Sequence, residues 1–437
     1  MDSNTNHSSA DPDQSADPAD LLNEACLCTT LDRGALREAL DAEVGSPGFA
    51  SELMESHPSL FSNVPVFVTP GTMFAMERVV TAVEATLGLP GYRDAALSWA
   101  PTIAATDFGP AGALMGYDFH VTPSGPRLIE INTNAGGAFL NSVLSEAQRT
   151  CCRGVRTTSS QLGNGFGTAV TAMFVKEWQR QRGSGKPLTI AIVDDEPLKQ
   201  YLFPEFRLAK ATLENEGFVV VITDPMALET SATGLHFDGH QIDLVYNRLV
   251  DFGLEEPSHA ALRTAYLDGN VVVTPNPHVH ALAADKRNLT LLSDISKLEG
   301  WDLSPEHREI LSAAVPETVG VSPANADALW NDRRNYFFKP AKGHGSKAAY
   351  RGDKLTRKVW SEILAAEYVA QQYAQPSERM VEWDGVSTPL KLDIRLYTYA
   401  GAVLLAAARL YRGQTTNMRT PGGGFAPLLE LVDTPAC

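Results

Sequence analysis

Four short, unbroken apolar runs constrain the fold of this chain more than any other feature. They are Leu188–Val193 (LTIAIV), Phe218–Thr223 (FVVVIT), Leu244–Asn247 and Val271–Thr274, with helical periodicity at Leu198–Gly217 and Leu262–Leu267 between them. A short apolar run without alternation leaves no face for water, so its strand must be covered on both sides. Such runs alternating with helices assemble as a parallel sheet wrapped by helices. We therefore place a compact α/β lobe at about 187–277.

The flanking regions carry different patterns. Residues 21–100 read mainly as helices, with breaks at Gly45–Gly48 and Pro70–Gly71. A strand pair follows, Gly112–Val121 and Arg127–Asn132, around a Pro123-Ser124-Gly125 turn; helical residues then run to about Arg182 and a linker at Gly183–Lys186. Beyond the lobe we expect a helix at Ala281–Leu298, a strand at Tyr336–Lys339, a Gly/Lys loop and a helix at Thr356–Ala365. Strands at Ala366–Tyr373, Leu390–Tyr399 and Val403–Leu410 finish the chain. The fold class expected is α/β (α+β). The parts are an acidic tail at 1–20, a helical region with the strand pair at 21–186, the inserted lobe at 187–277 and an α+β region at 278–437.

Charge and composition exclude several function classes. With 36 Lys and Arg against 52 Asp and Glu, the net charge is −16, which argues against a chain built to coat nucleic acid or an anionic membrane. The most apolar stretch, Gly401–Leu410, is about half the length that a bilayer requires and contains Arg409. The first twenty residues carry five Asp, no Lys or Arg and no apolar segment, so they read as a disordered tail and not as a signal peptide. Five cysteines without a C-x-x-C pair argue against a disulfide framework or structural zinc, and a cytoplasmic location is the expectation. An assembly of two copies is compatible with the sequence.

Three clusters could carry chemistry. In Tyr117-Asp118-Phe119-His120 and Glu130-Ile131-Asn132, strand alternation puts Glu130 and Asn132 on one face, and Asp118 could join it across the turn. Two carboxylates and an amide oxygen are hard donors suited to Mg²⁺ on a polyphosphate; the ordinary alternative is a polar hairpin face. In Phe337-Phe338-Lys339-Pro340-Ala341-Lys342-Gly343-His344-Gly345-Ser346-Lys347, a lysine ends an apolar strand. The glycines after it could turn backbone amides toward phosphate, although a plain hairpin with solvated lysines fits the same residues. Lys286, alone, reads as a surface residue on a helix. The third cluster is Asp393, Arg395, Arg409 and Arg412 with Thr415-Thr416-Asn417 and Gly422–Gly424. Arginines in apolar strands suit carboxylates or polyanions, and the glycines suit a mobile lid or simply a loose loop. His278 and His280, with no carboxylate or Cys nearby in sequence, read as structural.

The order of the motifs YDF…EINTN, NRLVD, ADKRN, FFKPAKGHGS, EYVAQQY, LKLDIRL, ARLYRG and GGGFAP resembles the ATP-grasp superfamily over roughly residues 85–430. E-x-N precedes both lysines, as in the circularly permuted branch that includes eukaryotic glutathione synthetase and glutathionylspermidine synthetase. The resemblance implies a two-lobed nucleotide site with the parallel lobe inserted. It implies Asp118, Glu130 and Asn132 as metal ligands, with Lys286 and Lys339 on the ATP phosphates and Gly343 to Lys347, including Gly345, as the flap. By the same likeness, Glu367–Tyr373 is the hinge for adenine with Gln371 as a side-chain contact, and Arg248 holds a substrate carboxylate. Arg409 then faces the reacting centre, Arg395 joins Lys286 and Lys339 in neutralising the phosphates, and Gly422–Gly424 covers the substrate. ATP and Mg²⁺, in two ions, are the implied cofactors. The implied activity is a carboxylate–amine ligase acting through an acyl phosphate on small amino-acid-like or short peptide substrates. A phosphotransferase or a nucleotide-binding chain without turnover remains open. The chain departs from the branch in having Ala341-Lys342-Gly343 where a further metal-binding glutamate is expected, and it has no amidase-like domain. Neither glutathione nor glutathionylspermidine is therefore implied as product.

Overall fold

The computed structural model of the chain describes residues 17–148, 153–157, 165–343 and 348–436. Its central sheet has eight described strands. The main path runs Val66–Val68, Gly424–Ala436, Ala402–Tyr411, Val386–Tyr399, Met115–Thr122 and Gly125–Asn132. Glu378–Trp383 flanks Val386–Tyr399, and Arg153–Thr157 flanks Gly424–Ala436. Val66–Val68 joins in parallel and the other pairings are antiparallel. Alternation decides what each face does. Leu392, Ile394 and Leu396, with Tyr117 and Phe119 of the neighbouring strand, sit in the core that Met76 and Val80 of helix Pro70–Leu87 and Leu311 of helix Pro305–Ala314 complete. The intervening Asp393, Arg395, Asp118 and His120 are thereby turned to the opposite face.

The parallel sheet occurs where expected, in the order Val219–Thr223, Thr189–Val193, Leu244–Asn247, Val272–Thr274. Ile190 and Ile192 pack with Phe206 of helix Phe203–Asn215, whereas Ala191 and Val193 pack with Leu262 of helix Ala260–Leu267, so both faces are covered. A meander of Leu228–Ser231, Gly234–Phe237 and His240–Ile242 is inserted in this lobe and was not expected from sequence. A third sheet orders Thr318–Gly320, Tyr368–Gln372, Tyr336–Pro340 and Tyr350–Arg351, backed by Trp360 and Ile363 of helix Arg357–Leu364.

Several sequence expectations need correction. The expected helix Ala281–Leu298 is three short helices, Pro277–Ala283, Asn288–Leu292 and Ile295–Gly300. Asn288 Nδ2 donates to the carbonyls of Ala281 at 2.8 Å and Leu282 at 2.9 Å, which satisfies the end of the first helix and stops it. Lys286 therefore lies in a turn and not on a helix. Pro70 opens a helix instead of breaking one, because a proline in the first turn has no missing amide partner, and Thr69 caps the Thr72 amide at 3.2 Å. Helix Pro18–Ala25, with Asp17 as its cap, begins within the stretch 1–20 read as an acidic tail, the first sixteen residues of which lie outside the described residues. Strands Val66–Val68 and Arg153–Thr157 interrupt regions that read as helical. The hairpin Glu378–Trp383 to Val386–Tyr399 was missed, although its Asp384-Gly385 turn has φ of 49° and 74°, the left-handed pair that such a dipeptide favours. Gly424–Ala436 was missed because Pro427 and the glycine run obscure its strand pattern.

Candidate active site

Strand register assembles the acidic site. Asp118 lies directly opposite Glu130 on one side and Arg395 on the other, while Asp393 lies opposite Arg409. Directly opposed residues share a face, so these side chains form one row across three neighbouring pairs. Arg395 donates to both oxygens of Asp118, through Nε at 2.6 Å and Nη2 at 2.7 Å. Arg409 Nη2 lies 2.8 Å from Asp118 Oδ2, and its Nε donates to Asp393 Oδ1 at 2.5 Å. Thr416 Oγ1 closes the network on Asp393 Oδ2 at 2.5 Å. Burial alone would raise the Asp118 carboxyl, but the two arginines hold it far below the usual carboxylate range.

The lysines reach the same place from other elements. Lys339, on the third sheet, donates to the Ile129 carbonyl at 2.6 Å and to Gln371 Oε1 at 2.8 Å, so it bridges that sheet to the acidic hairpin. Burial lowers it to about 8, with Glu130 opposing the fall. Lys286 Nζ stands 3.0 Å from Glu130 Oε1 and donates to the Gly343 carbonyl at 2.9 Å. Burial of Glu130 would raise its carboxyl, but Lys286 and Lys339 bring it below its ordinary value. Asp118, Glu130, Lys286, Lys339, Gly343, Gln371 and Arg409 together line one cleft of about 810 Å³, counting its open mouth, between the central and third sheets. Gly345 lies outside the described residues.

A second cavity of about 1000 Å³ adjoins the first and shares Lys286 and Gly343 with it; Asn132, Asn134, Asp194, Tyr201, Arg248 and Phe252 line it. Arg248 and Asp194 follow strands Leu244–Asn247 and Thr189–Val193. Those strands are neighbours in the parallel sheet at the point where its winding reverses, which is where open α/β sheets leave a crevice for ligands. Arg248 is buried, donates through Nη1 to Tyr246 Oη at 3.1 Å and lies 5.3 Å from the centre of the Tyr246 ring. Burial pushes Asp194 up to about 7, against the pull of Arg248 and the Asp195 amide.

The structure thus brings most of the sequence-derived set together, with three changes. Arg395 lines neither cavity; it stands behind Asp118, where its Nη1 also reaches the Gly136 carbonyl at 3.4 Å. Asp118 has both oxygens engaged by arginines and takes a further hydrogen bond from Asn132 Nδ2 at 3.2 Å. Gly422–Gly424 is buried and not a lid: a Cβ at Gly423 would lie 2.4 Å from the Leu410 carbonyl oxygen and one at Gly424 2.3 Å from that of Ser59. Gln414, Thr415 and Thr416 form that wall of the cleft instead. Asp194 and Tyr411, which carry no role in the sequence-derived set, also line the cavities; the Asp194-Asp195 pair at a strand end is the available signal for the first. His278 Nδ1 engages the Ala104 carbonyl at 2.7 Å, and the His280 ring stacks on Phe252 at 3.5 Å.

Hard oxygen donors suited to Mg²⁺ remain at Glu130 and Asn132. Among the described residues no group of three or more His, Cys, Asp or Glu could hold a metal ion. No described helix is long and apolar enough to cross a membrane. Cys26 is buried and Cys28 exposed, and Cys151, Cys152 and Cys437 lie outside the described residues.

No protein-family profile and no curated protein matches the chain. Among solved structures it is similar to the apo form of a glutathione synthetase-like effector from Globodera pallida, at 12% identity over 91% of this chain and 97% of that one, with a TM-score of 0.55. A putative gamma-glutamylcysteine synthetase from Methylobacillus flagellatus KT matches at 11% identity over 84% of this chain and 89% of that one, with a TM-score of 0.48. D-cycloserine synthetase DcsG matches at 16% identity over 56% of this chain and 92% of that one, with a TM-score of 0.31. The first likeness runs nearly end to end and is one of fold. With an acidic hairpin in its central sheet, two lysines converging on the cleft and a parallel lobe between hairpin and lysines in the sequence, the chain shares the fold of that glutathione synthetase-like effector.

Proposed function

We propose that this chain is an ATP- and Mg²⁺-dependent carboxylate–amine ligase. One observation carries the reading: a cleft lined by Lys286, Lys339, Lys391 and Arg409 meets a second cavity holding Arg248, and Lys286 and Gly343 stand at the junction. In this reading Lys286, Lys339 and Arg409 take the phosphate oxygens, while Gln371 and its strand hold the base. Arg248, a planar fork already braced by Tyr246, holds the carboxylate of an amino-acid-like or short peptide substrate. Mg²⁺ held by Glu130 and Asn132 would draw charge from the phosphates and orient them. A carboxylate at the junction attacks the γ-phosphorus and ADP leaves. The amine then displaces phosphate from the acyl phosphate and gives up a proton. Catalysis is by placement and fixed charge.

A second reading, nucleotide binding without turnover, draws support from the absence of any Asp or Glu between Lys339 and Arg351. A panel of amino acids and dipeptides, tested singly and in pairs for ADP release, separates the readings. Release that needs both an acid and an amine supports the ligase, release with one substrate marks a phosphotransferase, and tight nucleotide binding with no release marks a binding protein.

A further inference from the structure

We infer that His259 positions the walls of the Arg248 cavity. As an imidazolium it ties the segment after strand Thr189–Val193 to the segment after strand Leu244–Asn247, and it releases the first when it loses a proton. The inference goes beyond the ligase reading and does not depend on it.

The His259 side chain is 0% exposed, and both of its ring nitrogens end on carboxylates. Nε2 lies 2.9 Å from Asp195 Oδ1, and Nδ1 lies 2.8 Å from Asp251 Oδ2. An ionised carboxylate only accepts, and a neutral imidazole carries a single N–H, so both bonds exist together only when the ring holds two protons. Among the described residues neither carboxylate has a lysine or arginine within ion-pair distance, so His259 is the cation they share.

Both carboxylates adjoin the cavity. Asp194, beside Asp195, lines it, as do Val250 and Phe252 on either side of Asp251. Gln200, Tyr201 and Leu202 continue the first wall, and Gln200 Nε2 donates to the Asp195 carbonyl at 2.6 Å. The two arms are unequal. The Asp251 side chain is 18% exposed and also accepts from the Glu256 amide at 2.8 Å, whereas that of Asp195 is 44% exposed. With one proton left, the ring keeps Asp251, which water reaches poorly, and Asp195 turns to solvent. The wall from Asp194 to Leu202 then loses its tie to the opposite wall.

The surroundings favour the charged ring. His259 ends the short helix Pro257–His259, which packs against Pro225–Ala227 and helix Ala260–Leu267. The charged groups around it are Asp195, Asp251, Asp194, Asp224, Glu256 and Arg263. Asp224 is occupied by the amides of Glu196 and Met226, both at 2.8 Å, and Arg263 by the carbonyls of Gly253 at 2.9 Å and Leu254 at 3.3 Å. Burial would lower the imidazolium, but the bonds and charges of Asp195 and Asp251 hold it above its ordinary value. Such a group contributes stability that is complete below its unfolded value and is lost as pH rises through its folded value.

Two measurements on the full, unliganded chain test the inference from about pH 6 to about pH 9.5, across the ordinary histidine value. Nitrogen-15 resonances of the His259 ring should show both nitrogens protonated at the low end and a midpoint above about 6.5. A neutral ring at pH 6 would overturn the tie, and a ring doubly protonated throughout would overturn the release. Hydrogen exchange of residues 194–202, corrected for its intrinsic pH dependence, should quicken by about tenfold or more as the ring titrates. Exchange unchanged across the titration would overturn the link between His259 and the cavity wall. Asp195→Asn separates the proton from the fold. Its amide can donate to Nε2 while Nδ1–H still donates to Asp251, so the tie no longer needs a second proton. Residues 194–202 of that variant should exchange equally slowly across the range. Quickening equal to that of the wild type would overturn the assignment of the release to Asp195.

Discussion

Replacing Asp118 by Asn should cost the unliganded chain about 3 kcal/mol. Asp118 is 2% exposed, so its charge is offset by protein and not by water. The substitution leaves Arg395 buried without a carboxylate, whereas Arg409 keeps Asp393 at 2.5 Å. Breaking a buried pair by removing one partner costs about 3–5 kcal/mol, and the lower end applies because the amide oxygen still accepts one of the hydrogen bonds. At about 2–4 °C per kcal/mol for a large cooperative unit, the melting temperature should fall by about 6–12 °C. The pH dependence has a definite sign. A carboxylate held below its unfolded value contributes stability that is complete above that value and is lost as pH falls beneath it. The gap between wild type and variant should therefore be constant from pH 8 to about 5 and narrow only below about 4. Differential scanning calorimetry of the metal-free proteins across that range is the assay. Removing the orphaned charge as well, in Asp118→Asn with Arg395→Met, should recover most of the loss. An Asp118→Asn protein that melts with the wild type at pH 7 would show that the arginine clamp contributes nothing.

Glu130→Gln should lower ADP release by about a hundredfold or more while melting near the wild type, since its side chain is 29% exposed and Lys286 keeps the Gly343 carbonyl; a fully active variant would refute the metal assignment. Lys339, lowered to about 8 by burial, should give an Mg·ADP affinity that is level below pH 8 and declines above it as the charge is lost, read by calorimetric titration. Because the unfolded chain keeps that proton to higher pH, the same group makes the unliganded protein gain stability as pH rises past 8. A flat affinity profile to pH 9.5 would remove Lys339 from the phosphates. Arg248→Lys should raise KM for the acid substrate and leave Mg·ADP affinity unchanged, because an ammonium replaces a fork by a point charge; a parallel loss of nucleotide affinity would place Arg248 elsewhere.

Local chemistry determined much of this molecule before any tertiary contact formed. The apolar runs at 188–193, 218–223, 244–247 and 271–274 could only be buried strands, and they became the parallel sheet. Alternation in RLIEIN put Glu130 and Asn132 on one face with Asp118, because a two-residue repeat leaves a strand no other choice. Tertiary structure decided the partners. Asp118 and Arg395 are 277 residues apart, and Lys339 meets the Ile129 carbonyl across 210 residues, separations at which no local pattern carries information. The company that Asp118 keeps depended on which strand lay beside it, and that strand brought an arginine. Whether three glycines would form a lid or a buried crossing depended on the Leu410 and Ser59 backbones that they approach. The residue types came from the sequence, but burial set their charge and register set their neighbours, and both exist only in the folded chain.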